Sequence, residues 1–357
     1  MFFTIMLAFI PASLILAYFF NFSPIWVFLT SILAIIPLAV WIRRSTEQMA
    51  MIAGPSIGGL LNVTFGNAAE LILALFVLLS GETVVVKGQI TGSIIGNSLL
   101  GLGLAILIGT VGRQHQRFNR DRAGLLSTLL ILVVIGLLVP ALFDYTERDI
   151  VSASNTQSLD EWISLGVSVV LIVLYIANLI YTLITHRDVF HSEEQGGKGD
   201  ADWSLWKSLG ILLAATALTA WEADLVSGSL GGFASQLGLT TFFLGVIVLA
   251  VIGNAAEYVS AVYFARKDRM NLVMAITVGS TIQVGLLLAP VLVLVSFFIG
   301  HPMNLVFANP MELIAIAGVA FAVNAISQDG EVTWFEGALL IGVYILLAIA
   351  FFFVTPV

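Results

Sequence analysis

The sequence predicts an all-α, polytopic membrane protein, and three observations carry that prediction. Hydrophobic residues make up 59% of the 357-residue chain and charged residues only 10%, far from the balance of a soluble domain. The apolar residues gather into runs of roughly 20, the length a helix needs to cross a bilayer. The pentapeptide GNAAE stands at Gly66–Glu70 and again, letter for letter, at Gly253–Glu257, each time deep within such a run.

Taken in order, the runs lie near 4–20, 24–42, 56–80, 84–111, 122–143, 161–185, 204–226, 239–264, 270–298, 310–327 and 333–354, which makes eleven spans. Met1–Phe20 lacks a basic leader and a small-residue cleavage site, so it reads as a first span and not as a signal peptide. Pro24 and Pro310 open two spans, where a missing backbone donor costs nothing. Between the second and third spans, Arg43–Pro55 is polar and Met-rich; an interfacial amphipathic helix and a solvated loop both fit it. The acidic stretch His186–Asp202 has no apolar period and lacks the alternating acids and central Gly of an EF-hand, so a flexible cytoplasmic linker is expected. With its boundaries at 186–203, that linker divides an N-terminal half, 1–185, from a C-terminal half, 204–357.

Assigning the connections alternately to the two sides sets the orientation. One side collects Arg43, Arg44, Arg113, Arg117, Arg120, Arg122, Arg187, Lys198, Lys207, Arg266, Lys267 and Arg269; the other holds only Lys87 and Arg148. That bias places the N-terminus in the cytoplasm. An odd number of spans then places the C-terminus outside, and a prokaryotic cell (inner) membrane is the expected location. The GNAAE copies fall in the third and eighth spans, five apart, so they cross in opposite directions. This is an inverted-topology repeat, a plan that puts the substrate at the repeat interface near the midplane. The same offset of 187 residues pairs Ala74 with Ala261 and Gly92-Ser93 with Gly279-Ser280.

Composition excludes much. A net charge of −8 and the lack of any recognition motif argue against nucleic-acid binding. There is no cysteine, and His115, His186, His191 and His301 all fall in expected loops, which leaves oxygen ligands and hence hard cations such as Ca²⁺. With no HExxH and no Cys or His at depth, an intramembrane enzyme is disfavoured.

Glu70 and Glu257 are therefore the focus. A carboxylate at that depth is costly and marks a cavity, a partner or an ion path. Gly66, Asn67 and Glu70 share a helix face, as do Gly253, Asn254, Glu257 and Ser260. A Gly-Asn pair in mid-span weakens the helix, and the freed carbonyls can coordinate a cation. Ser93 with Asn97, and Ser280 with Gln283, lie on helices able to orient the carboxylates or supply oxygen. Interhelical bonding explains Asn97 and Gln283 equally well, and Gly92 and Gly96 read first as packing. With no Lys or Arg at comparable depth, the two carboxylates must be protonated or hold a cation. Their alternation between those states is itself an antiport mechanism. Glu222 and Asp224, near the expected outer end of the seventh span, could line an outer mouth or be plain interfacial acids. Asp329 and Glu331 fit a solvated loop, and Glu336 fits a helix start.

At these residues the chain resembles the cation/proton exchanger family, the Ca²⁺/H⁺ antiporters of the Ca²⁺/cation antiporter superfamily. GNAAELILAL with GSIIGNSLLGLG looks like the family's first signature repeat, and GNAAEYVSAV with GSTIQVGLLLAP like the second; WEADLV and DGEVTWFEG match more loosely. The resemblance implies eleven spans arranged as two inverted five-helix repeats behind an extra N-terminal helix. It also implies alternating access, with Glu70 and Glu257 taking either Ca²⁺ or protons, and oxygens from Asn67, Asn254 and the motif backbone at Gly66 and Gly253. The transported Ca²⁺ and protons and the lipid bilayer are the expected partners, no cofactor is expected, and a homo-oligomer is left open. The nearest rival, a Na⁺/Ca²⁺ exchanger, would bring further acids and a GTSAPE-like motif; a divalent cation channel would ring several copies of a filter about an axis.

Overall fold

The computed structural model describes residues 2–19, 23–54, 58, 60–61, 64–147, 153–185, 202–307 and 309–354. The expected linker, apart from Asp202, lies outside the described residues. In chain order the helices are α1 (Phe3–Tyr18), α2 (Pro24–Ala53), α3 (Ala68–Leu79), α4 (Thr83–Gly109), α5 (Arg120–Thr146), α6 (Ser158–Leu183), α7 (Leu205–Leu237), α8 (Thr241–Gly253), α9 (Ala255–Arg266), α10 (Met270–Phe298), α11 (Pro310–Ile326) and α12 (Trp334–Phe353). Among them α2, α4, α5, α6, α7, α10 and α12 are each long and apolar enough to cross a membrane. Helices α8 and α9 pass the same test only when taken together, bent by 51° at the break between them. Helices α1, α3 and α11 are shorter apolar helices. The protein is thus a multi-pass, helical membrane protein.

The helices mostly follow the apolar runs, with three departures. Helix α2 does not stop near residue 42 but continues through Arg43–Ala53. Several of its polar residues are satisfied within the helix: Ser45 and Thr46 donate to the carbonyls of Trp41 and Ile42 at 2.8 and 2.9 Å, and Arg43 pairs with Glu47 at 3.0 Å, while Gln48 accepts from the backbone N–H of Trp203 at 3.2 Å. Helix α7 likewise runs past residue 226 to Leu237, where Gly238 at φ +66° ends it. The third departure is a two-stranded ladder, β1 (Gln116–Arg117) against β2 (Glu331–Val332), antiparallel with Gln116 opposite Val332. Glu331, expected in a solvated loop, sits in that ladder facing Arg117 at 3.7 Å. Glu336 caps α12 reciprocally with Thr333, and Glu312 does the same for α11 with Asn309.

Helices α2 and α7 run against each other, with Phe28 stacked on Phe233 at 4.2 Å and Trp41 on Trp203 at 5.7 Å. They meet the GNAAE motifs through a small core of their own. Leu38, Ala39 and Ile42 of α2 and Leu212 and Ala215 of α7 close around Ala69 and Ala256, the second alanine of each motif. Most of the remaining buried residues form one large core. Within it α4 crosses α8 with backbones in contact: a Cβ at Gly92 would stand 1.9 Å from the carbonyl oxygen of Val246, and one at Gly245 would stand 2.4 Å from that of Val85. Gly92 is packing, and Gly96 gives room to the hydroxyl of Tyr258.

Candidate cation site

Both motifs break their helices at the asparagine. Asn254 leaves helical geometry at φ −100°, ψ 8° between α8 and α9, and Asn67 does the same at φ −103°, ψ 22° before α3. Each glutamate is then the third residue of the helix that restarts, so it sits where unsatisfied backbone groups of a broken helix gather. The two breaks face each other. A Cβ at Gly253 would lie 3.4 Å from Cγ of Glu70, and the charges of Glu70 and Glu257 are near enough to act on one another. Glu70 is 1% exposed and Glu257 5%.

Hydrogen bonds join the two halves crosswise. Ser93 donates to Oε1 of Glu70, as does Nδ2 of Asn254 at 3.3 Å, and that same Nδ2 reaches Oγ of Ser93 at 3.0 Å. Asn97 donates to Oδ1 of Asn254 at 2.9 Å. In the counterpart arrangement, Asn67 donates to Oε1 of Gln283 at 3.0 Å. Each motif asparagine therefore pairs with an amide on the other half's helix. Asn97 and Gln283, one position out of register by sequence, occupy matching roles. A π-helical stretch lies beside each, at Gly96–Gly101 and at Val284–Leu288, and a π turn accommodates one extra residue. Ser98 and Thr281, 2.8 Å apart, tie α4 to α10 beside this network.

The half-sites are not equal. Ser93, Asn97 and Asn254 around Glu70 are fully buried. On the opposite side Gly66, Asn67, Ser280 and Gln283 are only partly buried, and a Cβ at Gly279 would meet nothing within 4 Å. Ser260 returns its hydroxyl to the carbonyl of Ala256 at 2.8 Å and does not join the network. Arg43, from the extended part of α2, lies near enough for its charge to act on Glu257, while its own ion pair is with Glu47 at 3.0 Å. Glu222 and Asp224 separate. Asp224 lines a cleft of about 540 Å³ with Phe76, Ser80 and Ser227. Glu222, 1% exposed, is turned towards Ser13 of α1.

Two residues escaped the sequence reading. Gln89, fully buried, donates to the carbonyl of Glu70 at 3.3 Å; its position four before Ser93 and eight before Asn97 was the available signal. Tyr258, next to Glu257, buries its hydroxyl against Gly96.

Two broken helices, two facing carboxylates and a crosswise amide network define a membrane cation-exchange protein. A profile described as sodium/calcium exchanger protein matches residues 23–184 and 207–353, and the chain belongs to that family. A Ca²⁺/H⁺ antiporter of Aphanothece halophytica is 42% identical over 362 residues, covering 98% of this chain and 95% of its own. The Ca²⁺/H⁺ antiporter ChaA of Bacillus subtilis (strain 168) is 40% identical, covering 89% of each chain. The solved structure of native YfkE superposes with a TM-score of 0.85 at 35% identity, covering 99% of this chain and 100% of that one.

Proposed function

We propose that this protein is a Ca²⁺/H⁺ antiporter that moves Ca²⁺ out of the cytoplasm by alternating access, with Glu70 and Glu257 alternately protonated and Ca²⁺-bound. One observation carries the reading: the polar atoms of the site left without partners are oxygens. Oδ1 of Asn67, Oε2 of Glu70, Oε1 of Gln89, Oδ1 of Asn97 and Oε2 of Glu257 are all buried with no hydrogen-bond donor. Buried acceptors without donors are costly, so what the site lacks is an electropositive partner, a cation or a proton. Oxygen donors suit Ca²⁺. Among the described residues no group of three or more Asp, Glu, His or Cys gathers as a metal site. A divalent ion would then be held by the two carboxylates, with amide and main-chain oxygens from Asn67, Asn254, Gly66 and Gly253 completing the shell. Two protons on the carboxylates neutralise the site as one Ca²⁺ does, while the empty, doubly charged form is the costly one. That difference couples the fluxes.

The same reading completes the architecture. With the three shorter apolar helices counted, eleven spans arise, in two inverted halves about a linker at 186–203, with the N-terminus cytoplasmic and the C-terminus outside. Ser93, Asn97 and Gln283 orient the site, Ser280 lies on its open side, and Asp224 stands on the outer cleft.

The test is ⁴⁵Ca uptake into acid-loaded vesicles, with and without a protonophore, in sodium-free and sodium-loaded buffers. Uptake should collapse with the proton gradient and ignore sodium. Uptake that survives the protonophore and follows a sodium gradient would assign a Na⁺/Ca²⁺ exchanger instead.

A further inference from the structure

A third carboxylate lies buried in the helical body, outside the cation site. Glu222 of α7 is 1% exposed and faces Ser13 of α1 and the neighbouring α2, where Ser31 is also fully buried. Oε2 of Glu222 and Oγ of Ser31 make no hydrogen bond of normal geometry, although the Ser31 hydroxyl is near enough to Glu222 to act on it. Among the described residues no Lys, Arg or His forms an ion pair with Glu222.

Proton counting at Ser13 decides the state of this carboxyl. Its Oγ stands 2.7 Å from the carbonyl oxygen of Ile10 and 2.7 Å from Oε1 of Glu222. A serine hydroxyl has one proton, and a peptide carbonyl can only accept. With the Ser13 proton on Ile10 O, the short contact to Glu222 needs a proton from the other side. A separation of 2.7 Å is an ordinary O–H···O bond, whereas two bare oxygens at that distance repel. An ionised carboxylate would in addition want several donors and a counter-charge, whereas here only the hydroxyls of Ser13 and Ser31 stand beside it and no cation pairs with it.

We propose that Glu222 is a resident proton site: a neutral carboxylic acid that donates through Oε1 to Ser13, which donates in turn to Ile10 O. This short chain clasps α1 onto α7, beside a second bridge in which Trp221 Nε1 donates to the Tyr18 hydroxyl at 3.2 Å. The proton is structural and does not exchange with the transported cation, so Glu222 adds nothing to the proton count of the transport cycle. Asp224, two residues along the same helix, faces the cleft and plays no part in the clasp.

Infrared difference spectroscopy on the purified full chain in lipid reads this directly. The wild-type minus Glu222→Gln spectrum, taken with saturating Ca²⁺, should contain a protonated-carboxyl C=O stretch, and Ser13→Ala should shift its frequency by removing the acceptor. Glu222→Gln, which retains a donor and an acceptor, should exchange Ca²⁺ within about twofold of wild type with unchanged proton stoichiometry. Loss of carboxylate bands in place of the protonated stretch would overturn the proposal, as would a folded Glu222→Gln protein that no longer exchanges. Should Glu222→Gln not fold, the Ser13→Ala comparison alone decides: an unshifted protonated stretch refutes the clasp.

Discussion

The α4–α8 crossing gives the sharpest test of how packing holds the cation site. Gly92 and Gly279 are equivalent by the repeat, and each precedes a serine, yet their surroundings differ. A methyl added at Gly92 would place carbon 1.9 Å from Val246 O and 2.7 Å from the Ala250 Cβ, well inside the 3.0 Å that such contacts do not go below. The obstacle is backbone, which no rotamer change relieves, so α4 and α8 must part by about 1.1 Å, the difference between those two distances. Overpacking of this kind costs typically 1–3 kcal/mol and sometimes more. The displacement falls next to Ser93, whose hydroxyl bonds Glu70, and on the helix that ends at Asn254. Gly92→Ala should therefore lower Ca²⁺/H⁺ exchange at least ~10-fold, the equivalent of about 1.4 kcal/mol, and lower the melting temperature in detergent. Gly279→Ala, in open space, should stay within about twofold, since a helix-interior Gly→Ala change is otherwise neutral or stabilising. The assay is proton-driven ⁴⁵Ca uptake in proteoliposomes, normalised to the monodisperse protein recovered. Equal effects of the two substitutions would refute the packing argument.

Three further outcomes follow from the site. Glu70→Gln and Glu257→Gln should each abolish exchange, because shape is kept but the titratable charge is lost; near wild-type uptake by either variant would end the two-carboxylate account. Protons and Ca²⁺ compete for the same oxygens, so apparent Ca²⁺ affinity should fall as pH is lowered, by up to ~100-fold per pH unit if two protons are displaced and ~10-fold if one is; an affinity flat in pH, measured by equilibrium ⁴⁵Ca binding, contradicts this. In the naturally cysteine-free chain, His115→Cys and His301→Cys fall in exposed loops expected on opposite sides, cytoplasmic and outer, and an impermeant maleimide applied from outside should label only the second; labelling of both from one side would break the inverted-repeat topology. Ser192 and Thr355, which the sequence alone would favour for that experiment, lie outside the described residues.

What could be read from the sequence was what repeats or spans. GNAAE identified both carboxylates because an acid inside an apolar run is too costly to stand there without a partner or an ion to hold. The Gly-Asn step announced the helix breaks seen at Asn67 and Asn254. The matched alanines, Ala74 and Ala261, are indeed both fully buried. Properties that depend on the opposing helix were not legible. The constant offset pointed to Ser93 and Gln283 but not to which carboxylate or amide each would meet: Glu70 is met by Ser93 and by Asn254, and Asn67 by Gln283. The two broken helices face each other, so each motif is met by side chains of both halves. Gln89 was missed for a related reason: its repeat equivalent is Ile276, so the alignment that pointed to Ser93 was blind to it. The extension of α2 through Arg43–Ala53 was obscured because hydroxyls that bond back to the previous turn look, as letters, like a loop.

The crosswise pairing also bears on how the site works as a unit. If each half held its own carboxylate with its own amides, one half could load a cation while the other stayed idle. Here Asn254 of the second motif touches Glu70 of the first, and the α2–α7 pair rests on an alanine from each. Whatever binds Glu70 therefore pulls on the break in the other half. Ala69 and Ala256 are small enough for α2 and α7 to pack closely against both breaks at once. The half-sites are unequally buried, with Ser93 and Asn97 closed in and Ser280 and Gln283 partly open, and under the alternating access proposed above α2 and α7 are the pair placed to exchange those two arrangements.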